Sequence, residues 1–139
     1  MLKYQGEGMK GLALAVGAFL GALFRFTLGE WIPVLSDRFP LGTMIINLTG
    51  CLFLGWFFTI TLFRWKWPLE IRLGIGMGLT GSFTTFSTFS LETAQMLENH
   101  HFIAAFVYVV SSVLGGIVLV GVGQSIAEFQ IRGSRSKGA

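Results

Sequence analysis

The chain has 139 residues, of which 53% are hydrophobic and 12% charged, and its net charge is +3. Soluble globular proteins carry roughly 25% charged residues, about twice this share. The charges also cluster, which leaves uncharged runs at 11–24, 39–63, 73–91 and 102–127. The last three runs, of 25, 19 and 26 residues, are long enough to cross a bilayer as helices. This composition excludes a soluble enzyme domain and predicts a small multi-pass membrane protein.

Four membrane spans are predicted, so both termini lie on one side of the bilayer. In chain order the spans are 11–31, 41–63, 72–95 and 102–128, joined by loops at 32–40, 64–71 and 96–101. Residues 1–132 are expected to form a single transmembrane domain. Residues 133–139 are small, polar and basic, and we expect them to form a flexible tail.

Positive charge is concentrated on the side of the termini. The opposite side carries Arg38, with Arg25 leaning towards it. The positive-inside rule therefore predicts cytoplasmic termini, and the net charge is too diffuse to suggest nucleic-acid binding. The cations on the side of the termini are Lys3, Lys10, Arg64, Lys66, Arg72, Arg132, Arg135 and Lys137.

Glycine is unusually frequent, with 19 residues, many of them inside the predicted spans. In bilayer helices glycine permits close approach of two backbones, which stabilises helix association where lipid supplies no hydrophobic driving force. Packing alone does not explain the Asn, Tyr and Arg residues that lie on the same faces. Three stripes at helical spacing carry them: Gly17-Gly21-Arg25, Gly42/Thr43-Asn47-Gly50, and Tyr108-Ser112-Gly116 continued by Gly123.

The third span differs from the others, because residues 78–90 read GLTGSFTTFSTFS. Two glycines followed by β-branched and hydroxyl residues disfavour a continuous helix. A break at this depth would free backbone carbonyls that suit a cation, and the next helix N-terminus would favour an anion. The alternative is an unbroken helix whose hydroxyl groups bond to the preceding turn.

Several polar side chains lie at membrane depth. Asn47 is an amide in the middle of the 25-residue apolar run, and such groups commonly face an interior or a water-filled path. Neutral donors suit a small, strongly hydrated anion, which needs hydrogen bonds to replace its lost water. Asn47 could equally form a structural hydrogen bond between helices. The hydroxyl groups of Thr43, Tyr108 and Ser112 can add further donors to such a path.

Phe86 and Phe89 are three residues apart and share a helix face. An aromatic ring has a positive edge, so ring edges can approach an anion. Arg25 either attracts anions or holds a helix end in the headgroups, and Glu92 either ends a hydroxyl track or marks the end of the span. The sequence shows no nucleophile–base pair, phosphate-binding loop or cysteine–histidine cluster, which argues against an enzyme.

With these motifs the sequence resembles the Fluc (CrcB) fluoride channels, small four-span bacterial membrane proteins. The most specific part is the third-span string, together with the Gly-Thr…Asn motif before it. Ser82 and Phe83 depart from the usual family pattern, in which a second glycine and a smaller aliphatic residue follow Gly81. The matching motifs are Gly17-x-x-x-Gly21-x-x-x-Arg25, Gly42-Thr43-x-x-x-Asn47-x-x-Gly50, Gly81-x-x-Thr84-Thr85-Phe86-Ser87-Thr88-Phe89-Ser90-x-Glu92 and Tyr108-x-x-x-Ser112.

The resemblance implies an all-α protein of the bacterial inner membrane, with four transmembrane helices and a break in the third. It implies a dual-topology, antiparallel homodimer with two passive fluoride pores, which exports fluoride and protects the cell from its toxicity. Asn47 would be an anion-directed donor, and Phe86 and Phe89 would offer ring edges. Gly81 and Thr84 would give backbone carbonyls to a structural Na⁺ at the dimer interface. The polar track beside the rings would consist of Tyr108, Ser112, Thr88 and Glu92.

Three alternatives stay open at this stage. A homodimer with antiparallel subunits needs weak Lys/Arg asymmetry, whereas this chain's asymmetry is strong, so it could be the fixed-orientation half of a heterodimer with a paralogous chain. A small dimeric multidrug/proton antiporter would need an acidic residue in the membrane, and Glu92 lies near a span end. A non-transporting assembly subunit would be compatible with the glycine packing.

Overall fold

The structure is a computed structural model that describes residues 2–31 and 39–136, and every regular element in these residues is helical. Three helices are long. They are α1 (Leu2–Trp31), α2 (Leu41–Phe63) and α6 (Phe102–Ser136). Shorter elements connect α2 to α6, namely α3 (Leu69–Arg72), a π-helix (Leu73–Leu79), α4 (Thr80–Phe83) and α5 (Phe86–Glu98).

Within the described residues, three stretches are long and apolar enough to cross a membrane: Glu7–Glu30, Leu41–Phe63 and Phe102–Gly133. They coincide with the first, second and fourth predicted spans and confirm a multi-pass membrane protein. The predicted span 72–95 falls on the series of shorter elements. None of these reaches the length of a single crossing helix.

The observed boundaries differ from the predicted ones by a few residues. α1 begins before residue 11, and its polar first turns include a Lys10–Glu7 ion pair of 3.2 Å. The loop expected at 64–71 ends earlier because Pro68 precedes the first turn of α3. α6 continues through Ser136 into the predicted tail. Residues 32–38, which include Arg38, and residues 137–139 lie outside the described part of the chain.

Glycines bring α1 into direct contact with the π-helix and α4. Gly17 lies against the backbone carbonyl of Gly74, and Gly21 lies against that of Leu79. A Cβ atom at Gly78 would lie 2.6 Å from the carbonyl oxygen of Leu14. Such distances leave no room for any side chain, so this pair of segments can pack only because these positions are glycine. The predicted packing role of Gly17 and Gly21 is confirmed.

The second glycine-mediated contact joins α2 to α6. Gly55 lies against the carbonyl of Val120, and a Cβ atom at Gly123 would lie 2.7 Å from the backbone nitrogen of Trp56. At the other end of α6, a small core of Met96, Ala105 and Tyr108 attaches α5. These contacts bring the polar residues of α2, α5 and α6 together.

Candidate functional site

Two residues with extended backbone separate α4 from α5. Thr84 has φ −73° and ψ 155°, and Thr85 has φ −141° and ψ 114°. Before them, the amide and the hydroxyl of Thr84 both donate to the carbonyl of Thr80 at 2.9 Å. The hydroxyl back-bonding that the sequence suggested for an unbroken helix is therefore present at Thr84, yet the chain leaves the helical conformation at this residue.

Asn47 of α2 holds this extended pair through both ends of its amide. Its Nδ2 donates to the carbonyl oxygen of Thr85 at 3.1 Å, and its Oδ1 accepts from the amide of Thr85 at 2.8 Å. Thr85 is 7% exposed, so these backbone groups have little access to solvent. A single side chain thus satisfies a backbone donor and acceptor that the interruption would otherwise leave unpaired.

Thr85 in turn forms the N-cap of α5. Its Oγ1 accepts from the amide of Thr88 at 3.2 Å and donates to the hydroxyl of Thr88 at 2.9 Å. A threonine at this position supplies the acceptor that the first turn of a helix lacks. Our sequence reasoning did not assign Thr85 to the site, although a hydroxyl residue directly before a helical run is an N-terminus signal.

A second polar cluster lies where α2, α5 and α6 meet. The carboxylate of Glu92 accepts from the Thr43 hydroxyl at 2.7 Å and from the Tyr108 hydroxyl at 2.8 Å. Tyr108 is fully buried. Because both hydroxyl protons are directed at the carboxylate, Thr43 and Tyr108 do not offer them to another anion in this arrangement. The sequence grouped these residues as donors for an anion. In the structure, the carboxylate of Glu92 accepts the hydrogen bonds of both hydroxyls.

The two phenylalanines follow the extended pair directly. The ring centroids of Phe86 and Phe89 are 6.0 Å apart, and that of Phe89 is 5.0 Å from the ring of Tyr108. The ring of Phe39 also contacts the ring of Tyr108, in an edge-to-face arrangement with centroids 5.6 Å apart. Phe86 is 80% exposed, so its ring lies on the outer surface of this chain. The predicted shared face of Phe86 and Phe89 is confirmed.

The remaining predicted residues lie beside these clusters or apart from them. Ser112, one turn after Tyr108, has a buried hydroxyl without a hydrogen-bond partner in the described part of the chain. Arg25 is half-buried on α1 and pairs with none of the described side chains, so it joins neither polar cluster. The Gly81 and Thr84 carbonyl oxygens accept no hydrogen bond from the residues that the structure describes.

Apolar helices that enclose amide, hydroxyl and carboxylate groups, with aromatic rings beside an extended backbone segment, define a small polytopic membrane protein with a polar interior. The sequence family described as "CrcB-like protein, Camphor Resistance (CrcB)" matches residues 12–124. The chain belongs to this family, which confirms the resemblance drawn from the motifs.

Relatives with similar sequences cover nearly the whole chain. The chain is 42% identical over 128 residues to "Fluoride-specific ion channel FluC 1" of Bacillus cereus, covering 91% of this chain and 89% of that protein. It is 44% identical over 116 residues to "Fluoride-specific ion channel FluC" of Oceanobacillus iheyensis, covering 84% and 89%. A third relative, "Fluoride-specific ion channel FluC 1" of Moorella thermoacetica, is 43% identical over 121 residues, covering 86% of each chain.

Proposed function

We propose that this protein is a passive, fluoride-selective channel of the bacterial plasma membrane, and that it exports fluoride and protects the cell from its toxicity. One observation carries the proposal. The Phe86–Phe89 pair begins directly after the extended segment that Asn47 holds, in a chain 42% identical to a protein named a fluoride-specific channel. The site consists of hydrogen-bond donors and ring edges rather than of a nucleophile or a coenzyme pocket, so the proposed activity is transport.

In this proposal the donors that the observed hydrogen bonds leave free line the anion path. Asn47 has two amide protons and gives one to Thr85, so the other can donate to fluoride. The hydroxyl of Thr88 accepts from Thr85, which leaves its own proton free. The buried hydroxyl of Ser112 has no partner in the described structure. Together these groups can replace part of the water that a small anion loses.

The rings and charges complete the path. Phe86 and Phe89 offer positive ring edges, which attract a small anion more strongly when water is excluded. Thr43, Tyr108 and Glu92 form a hydrogen-bonded polar track beside Phe89. In this proposal Arg25 attracts anions towards the entrance of the path.

The extended pair Thr84–Thr85 supports an interrupted third membrane span and a bound Na⁺ at the interruption. The carbonyl oxygens of Gly81 and Thr84 fit such an ion, because neither accepts a hydrogen bond from the described residues and oxygen donors suit hard cations. A Cβ atom at Gly81 would meet no atom within 4 Å, so this side of the chain is open. When bound, the cation would supply a fixed positive charge that joins the two subunits.

We propose an antiparallel homodimer with two pores, in which residues 1–132 form the transmembrane domain. The 80% exposure of Phe86 supports a contribution from both subunits, since a pore ring should not face lipid alone. The concentration of Lys and Arg at the side of the termini favours one alternative, a fixed-orientation half of a heterodimer with a paralogous chain.

Ion efflux from liposomes tests the function. Purified protein is reconstituted into liposomes loaded with fluoride or, as the matched control, with chloride, and release is followed with ion-selective electrodes. We expect fast fluoride efflux and negligible chloride efflux. Equal efflux of both ions, or no efflux of either, would contradict a fluoride-selective channel made by this chain alone.

Labelling of a single cysteine tests the assembly. Cys51→Ser removes the one native cysteine, and Lys66→Cys then places a thiol in the exposed loop after α2. A membrane-impermeant thiol reagent added to intact cells should label only a fraction of the protein molecules. In a dual-topology protein this loop lies outside the cell in some molecules and inside in the others. Complete labelling or complete protection indicates one orientation and supports the heterodimer instead.

A further inference from the structure

The hydrogen bonds around the extended segment replace two bonds that a continuous helix would contain. In an α-helix each amide donates to the carbonyl four residues earlier, so Thr85 would donate to Gly81 and Thr88 to Thr84. Here the Thr85 amide donates to Oδ1 of Asn47 at 2.8 Å. The Thr88 amide donates to Oγ1 of Thr85 at 3.2 Å. Two side-chain oxygens therefore take the places of two backbone carbonyls as acceptors.

The carbonyls that lose their donors are those of Gly81 and Thr84. Neither accepts another hydrogen bond in the described part of the chain. An unpaired carbonyl in an apolar environment is unfavourable, and it becomes favourable when a cation or water binds it. The same exchange of partners thus leaves two carbonyl oxygens, three residues apart in the chain, available as ligands.

We propose that Asn47 and Thr85 are positioning residues for the cation site. By accepting the amide protons of Thr85 and Thr88, they keep the carbonyl oxygens of Gly81 and Thr84 free to bind Na⁺. This inference rests on the Na⁺ site of the proposed function and adds residues that do not touch the ion. It also gives Asn47 two roles, since the amide that keeps the Gly81 carbonyl free is the one that offers a proton to fluoride.

Thermal unfolding of the purified dimer in detergent tests the inference without measuring transport. The unfolding midpoint is recorded against Na⁺ concentration, with N-methyl-D-glucamine keeping the ionic strength constant. Thr85→Val removes the acceptor at nearly constant volume, whereas Thr85→Ser retains it. Thr93→Val is the matched control, because it removes a hydroxyl of the same helix that bonds to the carbonyl of Phe89 at 2.8 Å.

We expect Na⁺ to raise the midpoint of the wild type, of Thr85→Ser and of Thr93→Val with similar half-saturating concentrations. In Thr85→Val the half-saturating concentration should rise about fivefold or more, the factor that corresponds to about 1 kcal/mol for one hydrogen bond. Asn47→Leu should show the same change, and it replaces Thr85→Val if that variant does not yield folded dimer.

The outcomes separate the two proposals. An unchanged half-saturating Na⁺ concentration in Thr85→Val or in Asn47→Leu, with a clear Na⁺ effect in the wild type, overturns the positioning role and leaves the Na⁺ site intact. A wild-type midpoint that is the same in Na⁺ and in N-methyl-D-glucamine overturns the Na⁺ site itself.

Discussion

The ring of Phe89 packs against the ring of Tyr108, with centroids 5.0 Å apart and planes inclined by 40°. The hydroxyl of the same tyrosine donates to Glu92, three residues after Phe89 on α5. Tyr108 therefore contacts α5 twice, through its ring and through its hydroxyl. Because Tyr108 is fully buried in α6, it fixes the position of Phe89 relative to the rest of the molecule.

Phe89→Ile should abolish fluoride efflux from liposomes while the protein still assembles. Isoleucine fills much of the same space but has no positive ring edge to offer the anion. Loss of the contact with Tyr108 should lower the free energy of unfolding by about 1 kcal/mol. Efflux is measured with a fluoride electrode, and size-exclusion chromatography checks assembly. Full fluoride flux in this variant would remove the ring-edge mechanism.

Tyr108→Phe should destabilise the protein by about 1–3 kcal/mol, because it removes a hydrogen bond to the charged, half-buried carboxylate of Glu92. The ring contacts of Tyr108 remain, so the change isolates the hydroxyl. Thr43→Val removes the other donor to the same carboxylate, and the two changes should be non-additive since they share this partner. Thermal unfolding of the single and double variants measures the coupling, and simple additivity would argue against a shared carboxylate.

Gly17→Ala should destabilise the protein by about 1–3 kcal/mol, since the new methyl group would overlap the backbone of Gly74. Gly11→Ala lies on the same helix and is the matched control. A Cβ atom there meets nothing within 4 Å, and alanine favours the helix by about 1 kcal/mol over glycine. Unfolding midpoints that fall equally in both variants would show that the close approach of α1 to the π-helix is not what requires Gly17.

The protein should not exchange protons for cationic drugs. The oxygens of Glu92 accept hydrogen bonds from the half-buried hydroxyl of Thr43 and the buried hydroxyl of Tyr108, so this carboxylate already has partners within the protein. Proteoliposomes with a pH gradient and a pH-sensitive dye should show no proton flux when ethidium is added, either with the wild type or with Glu92→Gln. A drug-driven flux in the wild type that Glu92→Gln abolishes would support the antiporter instead.

The sequence located the polar residues of the site but not their partners. Asn47 stood out because an amide in a 25-residue apolar run needs a hydrogen-bond partner, whatever that partner is. Its partner, the backbone of Thr85, could not be predicted, because 38 residues separate them along the chain. Thr85 could not be distinguished from the neighbouring hydroxyl residues in the sequence, because its role as the N-cap depends on where α5 begins.

The directions of the hydroxyl protons also needed the folded structure. The sequence placed Thr43 and Tyr108 among donors for an anion, and only the arrangement of α2, α5 and α6 directs both protons to Glu92. The packing role of the glycines, in contrast, was predictable from the sequence, because their helical spacing places them on one close-packed helix face. Which backbone each glycine would meet still depended on the pairing of α1 with the π-helix and of α2 with α6.

The sequence by itself determined that this protein is a multi-pass helical membrane protein, because the lengths of its apolar runs are set by the thickness of the bilayer. It also determined the family, because the residue spacing of the family's motifs can be read from the sequence without knowing which residues are in contact. The tertiary structure decided which donors remain free to bind an anion. A proton of Asn47, Thr85 or Tyr108 that donates to another group of the protein is not available to the anion. That choice depends on distances between helices that are far apart in the chain.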